Sequence, residues 1–352
     1  MQKVAVIGLG LIGGSIGLGL SAWSKANSDG GPALQITGFD TDITQQQYAK
    51  KINAVERTEW DLTKAVRDAD IVILCIPVSA TEQTFRDIAN HLKAGAIVTD
   101  TASTKAEVLH WANDLLPRTV HFVGGHPMAG KAQSIEGAEA GLFKGATWCV
   151  CPSVYASEDA IKNVLGIIGA LDAEPYFVDP EEHDAHVAGV SHLPFVLSAA
   201  LMRATSKDSS WRDMRTLSST GFRDSTRLAA GSPAMHRDIV LTNREAVTRW
   251  VDAMVAELGD FRRQLHSDEA GESMDRYFVA AREARAEWAT QTHREGELLQ
   301  DTDSELANSS ISGQMGRLFF GGLLNRRRGP ERSGERDHAP DGAKAPTRTD
   351  RR

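Results

Sequence analysis

Near its start the chain reads Val4-Ala5-Val6-Ile7-Gly8-Leu9-Gly10-Leu11-Ile12-Gly13. Apolar residues typical of a strand lead into a glycine-rich turn, and a segment of helical character follows. In such a unit the glycines allow a tight turn, close approach of the backbone to a pyrophosphate, and close packing of helix on strand. Amides at the helix N-terminus would bind the phosphates. We favour a dinucleotide site over a purely structural glycine turn. The predicted site includes Gly8, Gly10, Leu11, Ile12 and Gly13.

A second strand signal, Ile36–Phe39, ends at an acidic residue, Asp40. In dinucleotide-binding folds an acidic residue about 20 residues beyond the glycines binds the ribose hydroxyls. Asp40 lies further along than that, and Ser24–Pro32, rich in Gly, Ser and Asn, explains the excess as an inserted surface loop. Because the carboxylate would repel a 2′-phosphate, and Asp42 would add to the repulsion, the sequence favours NAD over NADP.

Short β-rich runs alternate with helical patterns through the first half of the chain. Continuous apolar strands indicate burial on both faces, and hence a doubly wound α/β fold of the Rossmann type with a parallel sheet. Pro77 and the segment Asp100-Thr101-Ala102-Ser103-Thr104-Lys105 fall at carboxyl ends of strands, where such folds bind ligands. The predicted strands are Val4–Ile7, Ile36–Phe39, Ile71–Ile76, Ala96–Thr99, His121–Gly124, Trp148–Cys151 and Tyr176–Val178.

The second half of the chain has a different character. Strand signals stop near residue 180, and apolar residues at helical spacing, such as Val247, Val251 and Leu258, predict an all-helical domain. Beyond residue 291 the chain becomes polar and then rich in Gly, Pro and Arg, which predicts a disordered tail. We therefore divide the chain into a dinucleotide-binding domain (1–178), a helical domain (179–291) and a tail (292–352).

Composition narrows the class of protein. The chain has 352 residues and a net charge of −8 without a basic face that would track nucleic-acid phosphates, so no nucleic-acid partner is expected. Its 3 cysteines cannot form a disulfide framework and suggest a reducing compartment. We find no signal-peptide pattern and no apolar run of bilayer-spanning length, which predicts a soluble, cytoplasmic protein without a membrane partner.

A candidate for the chemistry lies in Gly124-Gly125-His126-Pro127-Met128-Ala129-Gly130, directly after an apolar run. Histidine changes its charge near neutral pH, and at the end of a parallel strand it could exchange a proton with a ligand above the sheet. By itself, His126 is more often a histidine packed into a tight turn. The predicted dinucleotide site upstream favours the interpretation of His126 as a general base.

Five motifs, taken together, resemble the prephenate/arogenate dehydrogenase family of tyrosine biosynthesis. They are residues 8–15, 100–105, 125–130 (Gly-His-Pro-Met-Ala-Gly), 191–194 (Ser-His-Leu-Pro) and 221–227 (Gly-Phe-Arg-Asp-Ser-Thr-Arg). The resemblance implies a Rossmann domain followed by a helical dimerisation domain related to that of 6-phosphogluconate dehydrogenases. It implies NAD as the cofactor, a homodimer, and oxidation of a cyclohexadienol in which loss of CO₂ makes the ring aromatic. No metal is expected in this chemistry.

The same resemblance assigns roles to residues. His126 matches the catalytic histidine that accepts the hydroxyl proton, and Ser103 matches a serine that hydrogen-bonds the same hydroxyl and the histidine. Ser103 could also cap the helix that follows it. Arg227 matches the arginine that binds a substrate carboxylate; Arg223 is a second candidate, although either could be a surface salt-bridge arginine. His192 matches a histidine that orders the domain junction or the site.

Two positions depart from the family pattern. Phe195 stands where the family has the second histidine of His-Leu-Pro-His. Ala132, two positions after the glycine of His-Pro-Met-Ala-Gly, stands where many prephenate enzymes have an acidic residue. Both positions lie near the substrate in the family, and this combination is similar to members that prefer arogenate. The substrate is therefore left open between prephenate and arogenate, with a dual-specificity cyclohexadienyl dehydrogenase as a third form.

Other readings compete with this one. A β-hydroxyacid or 6-phosphogluconate-type dehydrogenase would need a lysine in the helical domain, and the chain offers only Lys207 there, in a polar loop. A non-catalytic NAD-binding sensor would have no use for the residues around His126. His183 and His186 lack further ligands for zinc, and we interpret them as structural or solvated.

Overall fold

The structure, a computed structural model, describes residues 1–27, 33–131 and 133–307. The first domain is built on strands β1 (Gln2–Ile7), β2 (Leu34–Phe39), β3 (Arg57–Thr58), β4 (Ile71–Leu74), β5 (Ile97–Asp100), β6 (His121–Pro127), β7 (Thr147–Pro152) and β8 (Glu174–Phe177). They form one sheet in the order β3-β2-β1-β4-β5-β6-β7-β8. The predicted strands are thus confirmed with shifted ends, while the two-residue β3 was too short to show a pattern.

Strand direction departs from the prediction at one place. Within the described sheet, pairing is parallel except between β6 and β7, which run antiparallel. The doubly wound Rossmann-type fold with a mainly parallel sheet is confirmed, and the β6–β7 pair is the exception. The connection from β6 to β7 contains a short 3₁₀ turn, Ile135–Gly137, in place of a crossover helix. A strand that returns without a crossover pairs antiparallel.

This return lengthens the strand that carries the candidate base. β6 continues past the predicted end at Gly124 because β7 pairs with it as far as Pro127, and His126 lies opposite Cys149. His126 is therefore part of the sheet and does not sit in a turn after it. The backbone hydrogen bonds of the strand restrict where its ring can point.

Helices cover both faces of the sheet. On one face α1 (Leu11–Ala26) and α6 (Glu158–Ala170) pack their apolar side chains on the strands. On the other face lie α4 (Val78–Ile88) and α5 (Ala106–Leu115), while α2 (Ile43–Lys51) and α3 (Leu62–Val66) are shorter. Because α1 extends to Ala26, the inserted loop predicted at Ser24–Pro32 begins later than expected; residues 28–32 lie outside the described residues.

The second domain, over its described residues, consists of helices joined by short turns, as predicted. Its helices are α7 (Pro180–Val187), α8 (Leu193–Ser206), α9 (Trp211–Leu217), α10 (Thr220–Thr226), α11 (Pro233–Thr242), α12 (Arg244–Leu265) and α13 (Ala270–Ala307). The last helix continues beyond residue 291, so the disorder predicted from 292 onward is wrong for 292–307. The rest of the tail, 308–352, lies outside the described residues.

One stretch, Pro180–Ser206, is a nearly continuous helix made of α7, a π turn at Ala188–His192 and α8. By length and composition alone it could cross a membrane, although the sequence analysis expects no such span. Its buried side includes His183 and Asp184, which hydrogen-bond to the first domain. We therefore assign this stretch to the junction between the two domains.

Besides the hydrogen bond of His183 to the first domain, three sets of polar contacts join the domains. The Ser79 hydroxyl donates to the Asp238 carboxylate, and the hydroxyl oxygens of Thr104 and Thr242 are 3.0 Å apart. The third contact joins Asp184 of α7 to the N-terminus of α5. All three lie at the carboxyl edge of the parallel strands, where ligands of doubly wound folds bind.

Candidate active site

Each glycine of the first turn has its own geometric reason. Gly8 has φ +90°, and a Cβ there would stand 2.3 Å from the carbonyl oxygen of Cys75. A Cβ on Gly13 would lie 1.9 Å from the carbonyl oxygen of Gly8, so helix and turn are in direct contact. A Cβ on Gly10, in contrast, would meet nothing within 4 Å. Gly8 and Gly13 therefore allow close packing of the backbone, whereas Gly10 leaves room beside the backbone for a ligand.

The N-terminus of α1 is suited to an anion. Its cap residue, Gly10, provides no side-chain hydrogen bond, and the first turn contains no acidic residue. The amides at this end therefore keep their donors and the positive end of the helix dipole for phosphate oxygens. The residues present fit the pyrophosphate of a dinucleotide.

Asp40 closes the other side of this site. One of its carboxylate oxygens accepts a hydrogen bond from the Leu9 amide at 2.7 Å, and the other accepts from the Asp42 amide at 2.8 Å. The carboxylate is thereby fixed beside the glycine turn. Asp42 uses its own side chain to cap α2 through the Thr44 amide, at 2.8 Å. Pro77 stands at the cap position of α4, after β4.

The candidate base is buried and has a side-chain partner. Only 7% of His126 is exposed, and its Nδ1 lies 2.9 Å from Nε2 of His183. On the far side of that ring, His183 Nδ1 lies 2.7 Å from Oδ1 of Asp184. The interpretation of His183 as merely structural or solvated is therefore corrected: it is 2% exposed and contacts the candidate base. His186, three residues on, is exposed.

Asp184 also caps a helix of the first domain. Its carboxylate accepts hydrogen bonds from the Lys105 amide at 2.8 Å and the Ala106 amide at 3.0 Å. The helix α5 has no side-chain cap within its own sequence, so the predicted cap by Ser103 is wrong. The cap comes from the other domain, because Asp184 of α7 lies at this helix end. Ser103 itself is half-buried in the turn before α5, with its backbone beside His192.

A buried ion pair holds the strand beneath His126. The Lys105 ammonium donates to the Asp100 carboxylate and, at 2.8 Å, to the Gly125 carbonyl. Asp100 in turn accepts from the Gly125 amide at 3.0 Å. Lys105 and Asp100 are 0% and 1% exposed at their side chains. Both stand in a motif that the sequence analysis singled out, but their distance from Gly125 along the chain hid this role.

Electrostatics keep His126 neutral. Burial, followed by the neighbouring His183, Lys105 and His192, holds the pKa of His126 well below its usual value of 6.5. Each of these effects disfavours the imidazolium. A neutral ring has a lone pair, which is what a general base requires. His126 can therefore accept a proton at neutral pH.

His192 lies deeper in the junction. It is fully buried, and burial lowers its pKa to about 4, which makes it neutral at physiological pH. The Asn243 amide nitrogen is 3.3 Å from His192 Nδ1 and donates to the Asp184 carbonyl at 2.7 Å. His192 thus orders the segment that carries Asp184. Phe195 stacks on His236, with the ring centroids 4.2 Å apart, inside the helical domain.

The two predicted carboxylate-binding arginines are both exposed in the helical domain. Arg223 is exposed and pairs with Asp224 at 3.3 Å, as expected of a surface salt bridge. Arg227 is exposed at the start of the 3₁₀ turn Arg227–Ala230. No hydrogen bond or ion pair joins either to His126 within the described residues. Ala132 lies outside them.

The described residues lack the arrangement that a metal site requires. Among the described residues, no group of three or more His, Cys, Asp or Glu side chains is arranged to hold a metal ion. Both ring nitrogens of His183 are engaged in hydrogen bonds.

A Rossmann-type domain with a turn shaped for a dinucleotide, joined to a helical domain around a buried neutral histidine, defines a nucleotide-dependent dehydrogenase. The chain belongs to the prephenate dehydrogenase family. Residues 25–176 match the family's nucleotide-binding domain, and residues 179–280 match its dimerization domain.

Individual relatives agree with this assignment. The prephenate dehydrogenase of Bacillus subtilis is 32% identical over 287 residues, which cover 81% of this chain and 75% of that protein. The cyclohexadienyl dehydrogenase of Zymomonas mobilis is 30% identical over 81% of this chain and 95% of its own length. Among solved structures, prephenate dehydrogenase from Aquifex aeolicus in complex with hydroxyphenyl propionate and NAD⁺ has a TM-score of 0.74 at 27% identity, covering 82% of this chain and 98% of that one. Synechocystis arogenate dehydrogenase has a TM-score of 0.68 at 28% identity, with coverage of 82% and 100%.

Proposed function

We propose that this protein is an NAD-dependent prephenate dehydrogenase that converts prephenate to 4-hydroxyphenylpyruvate and CO₂ in tyrosine biosynthesis. The observation that carries the proposal is the buried, neutral His126 at the carboxyl edge of a sheet whose first turn fits a dinucleotide. The family membership and the prephenate dehydrogenases among its relatives support it.

The residues that would hold the cofactor are those of the glycine turn and the end of β2. The amides at Gly10, Leu11, Ile12 and Gly13 would bind the pyrophosphate. Asp40, already fixed by the Leu9 amide, would accept from the ribose hydroxyls and disfavour a 2′-phosphate. When bound, NAD⁺ supplies the acceptor for the hydride that leaves the substrate's carbinol carbon.

The chain's own residues handle the proton and the carboxylates. His126 accepts the hydroxyl proton as the carbon–hydrogen bond breaks, and Ser103 hydrogen-bonds the same oxygen. Loss of the ring carboxylate as CO₂ makes the ring aromatic, and the phenolic oxygen then takes a proton back from His126. Arg227, and secondarily Arg223, would bind substrate carboxylates through their guanidinium groups. His192 keeps Asp184 and its helix in place.

A second candidate is arogenate, alone or as one of two substrates. The relative from Zymomonas mobilis is named a cyclohexadienyl dehydrogenase, and a structural neighbour is an arogenate dehydrogenase. Phe195 also replaces the family's histidine, and its ring is occupied by a stack on His236. It cannot accept a hydrogen bond from the substrate side chain. Discrimination between the keto group of prephenate and the ammonium of arogenate would fall to other residues.

We further propose a cytoplasmic homodimer formed through the helical domain. The matched family model describes this part of the chain as a dimerization domain. Apolar side chains on α12 and α13, among them Val255, Leu258 and Phe278, are more than half exposed in the single chain. A second copy would remove them from water. Light scattering of the full-length protein tests this assembly.

The test of function is a parallel kinetic comparison. The purified full-length protein is incubated with NAD⁺ and either prephenate or arogenate, and NADH formation is followed by absorbance. We expect turnover with prephenate, and comparable turnover with arogenate would establish dual specificity. Turnover with a β-hydroxyacid or 6-phosphogluconate alone, or NAD binding without any turnover, would refute the proposal.

A further inference from the structure

The hydrogen-bond chain from His126 to Asp184 determines which nitrogens carry protons. An ionised carboxylate can only accept, so His183 must donate from Nδ1 to Asp184. If His183 carries its single proton on Nδ1, the lone pair is on Nε2 and His126 donates to it from Nδ1. The remaining nitrogen of His126, Nε2, is left with the lone pair. That is the nitrogen available to a substrate.

The carboxylate of Asp184 has hydrogen-bond donors on both of its oxygens. It accepts hydrogen bonds from the amides of Lys105 and Ala106, at the positive end of α5. With His183 it therefore has three donors around two oxygens. It lies in a buried site, 4% exposed, where a negative charge is weakly screened.

His126, in contrast, is a poor place for a positive charge. It is buried, and the Lys105 ammonium binds the carbonyl of the residue before it. A proton accepted from a substrate would be better accommodated one ring further on, because His183 touches the Asp184 carboxylate directly. The two rings are already in hydrogen-bond contact, so the shift needs no movement of atoms other than the proton.

We propose that His183 and Asp184 act as positioning residues that fix the tautomer of His126 and share its proton during turnover. The inference rests on the proposed dehydrogenase function. As the substrate O–H bond breaks, an N–H bond forms at His126 Nε2. The Nδ1–H bond of His126 then breaks as an N–H bond forms at His183 Nε2, and the electron pair stays on His126. Both steps reverse when the phenolic oxygen takes the proton back, so no proton leaves the buried site.

The first test reads the tautomers without any reaction. In the full-length protein with ¹⁵N-labelled histidine, NMR distinguishes protonated from bare ring nitrogens. At neutral pH we expect both His126 and His183 to be protonated at Nδ1 and bare at Nε2. Protonation of His126 at Nε2 would overturn the proposal even if the enzyme is active. Conversely, the expected tautomers in a protein that turns over neither prephenate nor arogenate would refute the proposed function alone.

The second test separates tautomer fixing from proton sharing. His183→Gln keeps an acceptor near the position of Nε2 but cannot take up a proton, whereas His183→Leu removes both properties. His186→Gln, on the exposed side of the same helix, is the matched control. We expect His183→Gln to preserve the His126 tautomer and NAD⁺ affinity while lowering kcat at least tenfold with KM nearly unchanged.

The other two variants complete the series. We expect His183→Leu to lose the tautomer and fall towards the ~10²–10⁴-fold deficit of an absent base. His186→Gln should match the wild type. A kcat for His183→Gln within twofold of wild type would overturn proton sharing, and an unchanged His126 tautomer in His183→Leu would overturn tautomer fixing. Should a variant not fold, the wild-type tautomers still decide.

Discussion

Replacing Lys105 by methionine tests whether the ion pair beneath the active site holds the strand that carries His126. Methionine approximates the length of the lysine side chain but removes its charge. The substitution leaves the buried Asp100 carboxylate without its ammonium partner and the Gly125 carbonyl without a donor. Both side chains of the pair are at most 1% exposed, so water cannot replace the lost contacts without local opening.

The expected magnitude follows from this burial. Removing one partner of a buried ion pair costs about 3–5 kcal/mol, because it leaves an uncompensated charge. Asp100 retains hydrogen bonds from the amides of Ala102 and Gly125, at 2.9 and 3.0 Å, which moderates the penalty. Each kcal/mol lowers Tm by roughly 2–4 °C for a unit of about 150–250 residues, a range that includes the first domain, so the Tm of that domain should fall by about 6–20 °C. With total stabilities of roughly 5–15 kcal/mol, the variant should still fold at low temperature.

The measurement is thermal unfolding at fixed protein concentration, with kcat measured on the folded variant. Arg86→Met is the matched control, since Arg86 pairs with Glu82 at 2.6 Å on the surface. An exposed pair contributes about 0–1 kcal/mol, so this variant should change Tm little. The double variant Asp100→Asn with Lys105→Met removes both charges of this buried pair and should recover part of the loss. If Lys105→Met shifted Tm no more than Arg86→Met, the Lys105–Asp100 ion pair would not stabilise the strand that carries His126.

The site makes further predictions. His126→Asn should lower kcat by roughly 10²–10⁴-fold and leave NAD⁺ affinity intact, and near-normal turnover would remove His126 from the mechanism. In the wild type, kcat/KM should stay high down to pH values below 6.5 and fall only as the pH drops through the lowered pKa of His126, where the base becomes protonated. An acid limb centred above 6.5 would contradict the buried environment. Arg227→Ala should chiefly raise KM. Arg223→Ala should raise KM less, because Arg223 pairs with Asp224 on the surface. Equal effects of the two substitutions would reject Arg227 as the main carboxylate partner. Gly10→Ala should fold normally but weaken NAD⁺ binding, whereas Gly13→Ala should destabilise the fold, because only the second Cβ meets backbone, at 1.9 Å; similar melting temperatures would refute that distinction.

Local features of the chain were the ones that sequence reasoning recovered. The glycine turn, the positions of most strands along the chain and the helical character of the second domain each depend on residues within a few positions of one another. The direction of β7 was missed, because an apolar strand has the same pattern in either direction and only the missing crossover helix distinguishes them. The sequence suggested that Ser103 could cap α5. The carboxylate that caps this helix instead belongs to Asp184, which is 79 positions from Lys105.

The sequence by itself determined that the chain begins with a dinucleotide-binding domain, continues as helices, and carries a histidine suited to proton transfer. Those properties follow from side-chain periodicity and from the backbone freedom of glycine, which are local. Only the tertiary structure decided what His126 touches. Its partner His183 lies 57 positions away, on a helix docked against the sheet edge. A hydrogen bond requires two atoms within about 3 Å of each other, and for residues so distant along the chain, only the packing of the two domains sets that distance.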